Sequence, residues 1–185
     1  MKKFLFETFY IIDSLPNHTA IKPLLLNEIS KISTNNSLVD DNNFISKLDW
    51  QSSDTNQKWK DIFLPYLNSK LLEIANDNGY KNIRIDELWF QQYKKNGRHG
   101  WHTHGSNFTG IYYLELPKYA PKTELILPCL CKPFTPDIAE GDILIFPSYV
   151  VHRAPIITRK LRKTIISFNF TMMMLTDIFL QSIGE

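Results

Sequence analysis

The chain has almost no cysteine: there are two, Cys129 and Cys131, one residue apart. That spacing is poor geometry for a disulfide, and two thiolates alone do not make a zinc site. They read as free thiols in a reducing compartment. An excess of one charge is also missing. The formal net charge is +2 and the basic residues are dispersed, which gives no electrostatic case for nucleic acid or for an anionic membrane. The one local excess, Arg159-Lys-Leu-Arg-Lys163, reads first as a solvated turn. No apolar run approaches membrane-spanning length. Met1-Lys-Lys-Phe-Leu-Phe6 begins like a signal peptide, but Glu7 and Asp13 interrupt it,. A cytoplasmic protein is the expectation. No repeat or linker divides the chain.

What is present is enough for a core. A length of 185 residues with 13% aromatics predicts one domain spanning 1–185,. Residues 1–80 read as mostly helical support after an opening strand near Phe4–Ile12. Pro23 can open a helix carrying Leu24, Leu25, Glu28, Ile29 and Ile32,. Thr34–Asn43 reads as a polar loop. Trp59, Ile62, Phe63, Tyr66, Leu67, Leu71 and Ile74 form an apolar stripe at helical spacing, ending before Asn78-Gly79,. The texture then changes. Ile83–Tyr93, Thr109–Leu116, Glu124–Leu127, Ile143–Phe146 and Thr164–Met173 are short β-prone runs between turns,. Leu130–Pro136, with two prolines, reads as a loop. Helices followed by many strands predict an α+β, mainly β fold: a sandwich or barrel over 83–173, buttressed by the N-terminal helices.

Three histidines carry the chemistry. His102 and His104 stand in Trp101-His-Thr-His-Gly105, and His152 follows Phe146-Pro-Ser-Tyr-Val-Val. Residues i and i+2 of a strand share a face, so the close pair can converge on one point. His152 comes just after the hydrophobic run Ile143–Phe146, which predicts a second strand whose end opens nearby. Three imidazoles suit Fe, Zn, Cu or Ni and leave coordination positions open. His99 reads as a loop residue near the entrance and His18 as a surface residue.

An anion-binding group is the next requirement. Alternation along Arg162-Lys-Thr-Ile-Ile-Ser-Phe-Asn-Phe170 places Arg162 and Thr164 on one face, where a guanidinium and a hydroxyl can hold a carboxylate,. A solvated strand-end arginine is the plainer alternative. Tyr113 and Tyr93 flank the histidine pair in sequence and could add hydroxyl donors, or be core aromatics,.

These pieces occur in a telling order: Tyr93-Lys-Lys-Asn-Gly97, His102-Thr-His104, Thr109-Gly-Ile-Tyr-Tyr-Leu-Glu115, Gly141-Asp-Ile-Leu-Ile-Phe-Pro-Ser148, His152, and Arg162 with Ser167-Phe-Asn169. The set resembles the 2-oxoglutarate- and Fe(II)-dependent oxygenase superfamily, including its prolyl hydroxylases. It looks most like the small bacterial and phage oxygenases with a His-x-His and Ser/Thr-Gly-x-Tyr-Tyr pattern. The resemblance covers residues 83–173.

The resemblance implies a double-stranded β-helix, a jelly-roll of cupin-like shape, with iron at its open end. It implies His102 and His152 as ligands. It gives Arg162 the distal carboxylate of 2-oxoglutarate, with Tyr113, Tyr93 and Thr164 nearby; a register one residue away would substitute Lys163. The implied reaction is hydroxylation of an unactivated C–H in an amino acid, peptidyl or other small substrate, using O2 and releasing succinate and CO2. His104 stands where the superfamily has Asp or Glu, so the metal would keep its full divalent charge. That departure leaves two alternatives: a three-histidine cupin dioxygenase without 2-oxoglutarate, and a non-catalytic metal-binding module.

Overall fold

A computed structural model describes residues 8–33, 37–50, 57–127 and 132–184. The elements run β1 (Ile11–Ser14), α1 (His18–Lys31), β2 (Leu38–Val39), β3 (Phe44–Ile45), β4 (Lys47–Leu48), α2 (Lys58–Asp77), β5 (Tyr80–Tyr93), β6 (His99–His102), β7 (Phe108–Glu115), β8 (Glu124–Ile126), β9 (Pro133–Phe134), β10 (Asp142–Pro147), β11 (Val151–Ala154), β12 (Lys163–Leu175) and α3 (Asp177–Ile183). A six-stranded sheet has the order β1-β10-β7-β12-β5-β4, and a four-stranded sheet the order β6-β11-β8-β9. All their pairings are antiparallel. This is the expected jelly-roll, and its long strands fall where the β-prone runs lie.

The large sheet has two apolar faces, which is why its strands read as nearly continuous hydrophobic runs. One face carries Phe90, Tyr112, Ile143, Ile145, Ile166, Phe168 and Phe170 and is covered by α1 and α2. Helix α2 contributes Trp59, Phe63, Leu67, Leu71 and Ile74, the stripe that the spacing predicts. Phe63 stacks on Tyr112 with centroids 5.0 Å apart. The other face carries Tyr93, Ile111, Tyr113, Leu144, Phe146 and Ile165 and packs with Leu125, Val150 and Ala154 of the small sheet and its connections. The histidines lie on that inner side. Asp49, just after β4, ties the layers together. Its buried carboxylate accepts from Trp59 Nε1 of α2 and from the backbone N–H of Phe90 in β5, both at 2.8 Å.

Several boundaries differ from expectation. Helix α1 starts at His18 and takes Pro23 inside it. Asn17 adopts a left-handed conformation at its start, with φ 62°. Two short strands, β2 and β9, occupy segments that read as loops. The cysteines, and residues 4–7 of the expected opening strand, lie outside the described residues, while its described end meets β1 at Ile11. Among the described residues no helix is long and apolar enough to cross a membrane.

One close approach fixes how β7 sits on β12. A Cβ on Gly110 would lie 2.1 Å from the Phe168 ring, far inside contact distance. Gly110→Ala is expected to destabilise the fold by about 1–3 kcal/mol through forced repacking, visible as a lower midpoint in urea unfolding. An unchanged midpoint would show that Phe168 has room to move.

Candidate metal centre

The three histidines meet. His102 ends β6, His104 follows in extended backbone, and His152 lies in β11 directly opposite His102. Their candidate ligand atoms all lie within 4.8 Å of one another. Ring centroids are 4.2 Å apart for His102 and His152, 5.0 Å for His102 and His104, and 5.1 Å for His104 and His152.

Each ring is aimed. His102 Nδ1 lies 2.8 Å from the Gly100 carbonyl, and His152 Nδ1 lies 3.0 Å from the Val150 carbonyl. A carbonyl only accepts, so each Nδ1 carries the proton and each Nε2 presents its lone pair. His104 is held differently. Its backbone N–H donates to the Ser148 carbonyl at 3.0 Å, and its ring stacks on Trp89 at 5.8 Å. Phe146 packs edge-on against His152 at 4.7 Å.

Desolvation sets the protonation state. His152 is 4% exposed. Burial, then its His102 neighbour, pushes it down to about 2. Burial, then His102, pushes His104 down to about 4, and burial lowers His102 as well. Three neutral imidazoles with converging lone pairs fit a divalent transition metal. The set is nitrogen-only, with no carboxylate to cancel charge.

A fourth imidazole joins them, one that reads from the sequence as a loop residue. His99 begins β6 and stacks on His102 at 3.9 Å. In a regular strand i and i+3 point to opposite faces. Here His152 faces His102 and Ala154 faces His99, so the one intervening residue of β11 opposes two of β6. That bulge turns His99 to the inner side. The sequence signal was Gly100 inside a short strand, a common mark of such irregularity. Burial, then the neighbouring His102 and His104, pushes His99 down to about 3. His18, expected at the surface, is half-buried, with Nδ1 2.6 Å from the Tyr112 hydroxyl.

The face of β12 that turns towards the histidines is one residue away from the one expected to carry Arg162 and Thr164. Ile165 and Ser167 line the histidine cavity together with Gln91, Tyr93 and Thr123. Alternation therefore puts Lys163, not Arg162, on that face. Arg162 makes a two-point ion pair with Glu115, at 2.9 Å from Nε and 2.6 Å from Nη2, and its side chain is 48% exposed. Thr164 is buried on the Arg162 side, donating to Glu115 and accepting from Gln92 Nε2 at 3.1 Å. Lys163 is buried, with Nζ donating to the Pro121 carbonyl at 2.8 Å. The same Nζ lies 5.8 Å and 5.6 Å from the Tyr93 and Tyr113 rings. Burial pushes Lys163 down to about 7. Tyr113 donates to Thr123 Oγ1 at 2.7 Å. The buried Tyr93 hydroxyl has no hydrogen-bond partner among the described residues. Burial raises the pKa of both phenols.

No protein-family model matches the chain, and no curated protein matches it in sequence. Solved structures do match in shape. A prolyl-4-hydroxylase of Pseudomonas putida is 14% identical, with a TM-score of 0.65 over 89% of this chain and 92% of that one. The collagen prolyl hydroxylase of Paramecium bursaria Chlorella virus-1, in its 2-oxoglutarate complex, is 16% identical, with a TM-score of 0.58 over 87% and 94%. A prolyl hydroxylase of Trichoplax adhaerens, bound to a peptide fragment of the hypoxia-inducible factor, is 16% identical, with a TM-score of 0.64 over 95% and 87%.

Two outcomes are expected of the histidines. His152→Ala should weaken Zn(II) or Co(II) binding by at least about 100-fold in a competition titration, because it removes one of three ligands. Their pKa values lie below the usual 6.5 in the folded chain, so the unfolded chain binds more protons below that pH. Stability of the metal-free protein should thus be full above pH 6.5 and fall as pH drops towards 4, read by thermal melts. A flat profile would contradict the buried neutral cluster. The chain has the double-stranded β-helix fold that the prolyl hydroxylases and other 2-oxoglutarate, Fe(II) oxygenases share.

Proposed function

We propose that the chain is an Fe(II)- and 2-oxoglutarate-dependent dioxygenase that hydroxylates a C–H of an amino acid, peptidyl or other small substrate. The observation that carries this reading is a buried cation, Lys163, on the same inner sheet face as a cluster of three aimed, neutral imidazoles. A buried ammonium with one neutral acceptor is poorly compensated and calls for an anion. The Tyr93 hydroxyl, buried without a hydrogen-bond partner among the described residues, supplies a second donor beside it.

His102, His104 and His152 hold the metal through their open ring nitrogens. Lys163 binds the far carboxylate of the diacid, Tyr93 donates to it, and Tyr113 with Thr123 walls that end. The metal and diacid, when bound, supply oxygen activation with release of succinate and CO2. The protein's own part is to fix both partners and to keep water away with Phe146, Ile111 and Ile165. The diacid's metal-side carboxylate would offset one unit of the divalent charge that an all-imidazole set leaves, and its far carboxylate would pair with Lys163. A peptide bound to one structural neighbour makes a peptidyl group a reasonable first substrate screen.

The lack of a carboxylate ligand favours a second reading, a three-histidine dioxygenase that needs no cosubstrate. The two part on a simple assay. In the proposed function, Lys163→Met raises the 2-oxoglutarate requirement for succinate formation by about 100-fold or more, the cost of losing a buried charge partner. Arg162→Ala changes it less than about threefold, as an exposed pair contributes little. Oxygen consumption indifferent to 2-oxoglutarate would favour the second reading. With Lys163 free at about 7, 2-oxoglutarate should take up a proton on binding above that pH. Its affinity should weaken between pH 7 and 8.5, measurable by calorimetry in buffers of different ionisation heat.

A further inference from the structure

A second cavity, of about 380 Å³, opens beside the histidines. Its walls are mainly apolar: Leu38, Ile45 and Leu48 from β2, β3 and β4, and the indoles of Trp50 and Trp89, 6.4 Å apart. Among its described lining residues Glu87 has the one carboxylate, and there is no lysine or arginine. Lys60 lines an adjoining cavity that Glu87, Trp50 and Trp89 also border; it lies 5.5 Å over the Trp59 ring, and Asp49 is the acid whose charge acts on it.

Glu87 is an exposed residue of β5, yet one of its carboxylate oxygens is tied to a buried polar chain. Its Oε2 accepts from Asn169 Nδ2 at 2.5 Å. Asn169 Oδ1 accepts from Thr109 Oγ1 at 3.1 Å, and Thr109 Oγ1 lies 2.8 Å from Ser148 Oγ. Asn169, Thr109 and Ser148 are all buried. A bulge in β5 sits beside it, since Asn169 and Phe170 oppose Glu87 and Ile85 and pass over Asp86. Bulges of this kind re-aim a side chain. A buried polar chain thus fixes one carboxylate oxygen at the edge of an apolar cavity. Trp89 stacks on His104, and Glu87 lies two residues along the same strand face, roughly 7 Å further on.

We infer that this cavity takes a substrate with an apolar chain and a cationic amine or guanidine, the cation resting against Glu87 and the half-exposed Trp50 indole. The apolar chain lies along Trp89 towards the histidines. An aromatic face and a carboxylate together favour a cation over its neutral isostere. The inference rests on the histidine cluster being the reaction centre. The cation can belong to a free amine or to a basic side chain of a peptide.

Tryptophan-fluorescence titrations of the full chain, metal-free and Zn(II)-loaded, test it with two matched pairs. One pair is n-hexylammonium and n-hexanol. The other is N-acetyl-lysine methylamide and its norleucine counterpart. At least one cation should bind roughly fivefold to tenfold tighter than its neutral partner, and the pair that shows it identifies the source. Glu87→Gln, which keeps an acceptor for Asn169, should erase that preference and leave neutral binding unchanged. Trp50→Leu should reduce it. Equal binding within both pairs, or a preference that survives Glu87→Gln, overturns the inference. Neither titration needs 2-oxoglutarate or turnover, so a failed oxygenase assay would leave the result readable.

Discussion

Two hydrogen bonds of the same local pattern decide what the histidines can do. His102 and His152 each bond through Nδ1 to the carbonyl two residues upstream. The bond fixes the tautomer, the rotamer and the direction of the remaining lone pair at once. Without it a buried imidazole is only a polar side chain in a costly place. With it, two strands on neighbouring sheet positions present lone pairs to a common point. Burial then keeps protons off, which is the condition for metal binding near neutral pH.

The second constraint is the two-sidedness of β12. One face packs Ile166, Phe168 and Phe170 against the helical layer; the other presents Lys163, Ile165, Ser167 and Asn169 to the barrel interior. A shift of one residue would exchange every one of these. Phe168 against Gly110 and the Phe63–Tyr112 stack behind it secure the register from the helical side of the sheet. The core packing and the choice of which cation is buried are therefore one decision. Arg162, displaced outward by it, joins Glu115 and Thr164 in a polar clamp at the strand's start.

Much of this was legible in the residues. The α2 stripe, the five β-prone runs, and the i, i+2 convergence of His102 and His104 follow from periodicity. His152 needed one further inference, that its strand would lie beside theirs. The cation was harder. Arg162 and Lys163 are adjacent and both basic, and no local pattern says which face of β12 turns inward. His99 was harder still. Its inward turn depends on a one-residue bulge against β11, a property of the pairing and not of the segment.

The sequence alone determined the classes: a mainly β barrel with helical support, a histidine-rich centre, and a strand carrying cations at its start. Those follow from side-chain chemistry and spacing, which are local. Only the tertiary structure decided which cation is buried, that a fourth imidazole joins the cluster, and that Glu87 is locked at the cavity's edge by Asn169, Thr109 and Ser148. Each depends on register and bulges between strands far apart in the chain, and registers are set by the packing of the whole sheet.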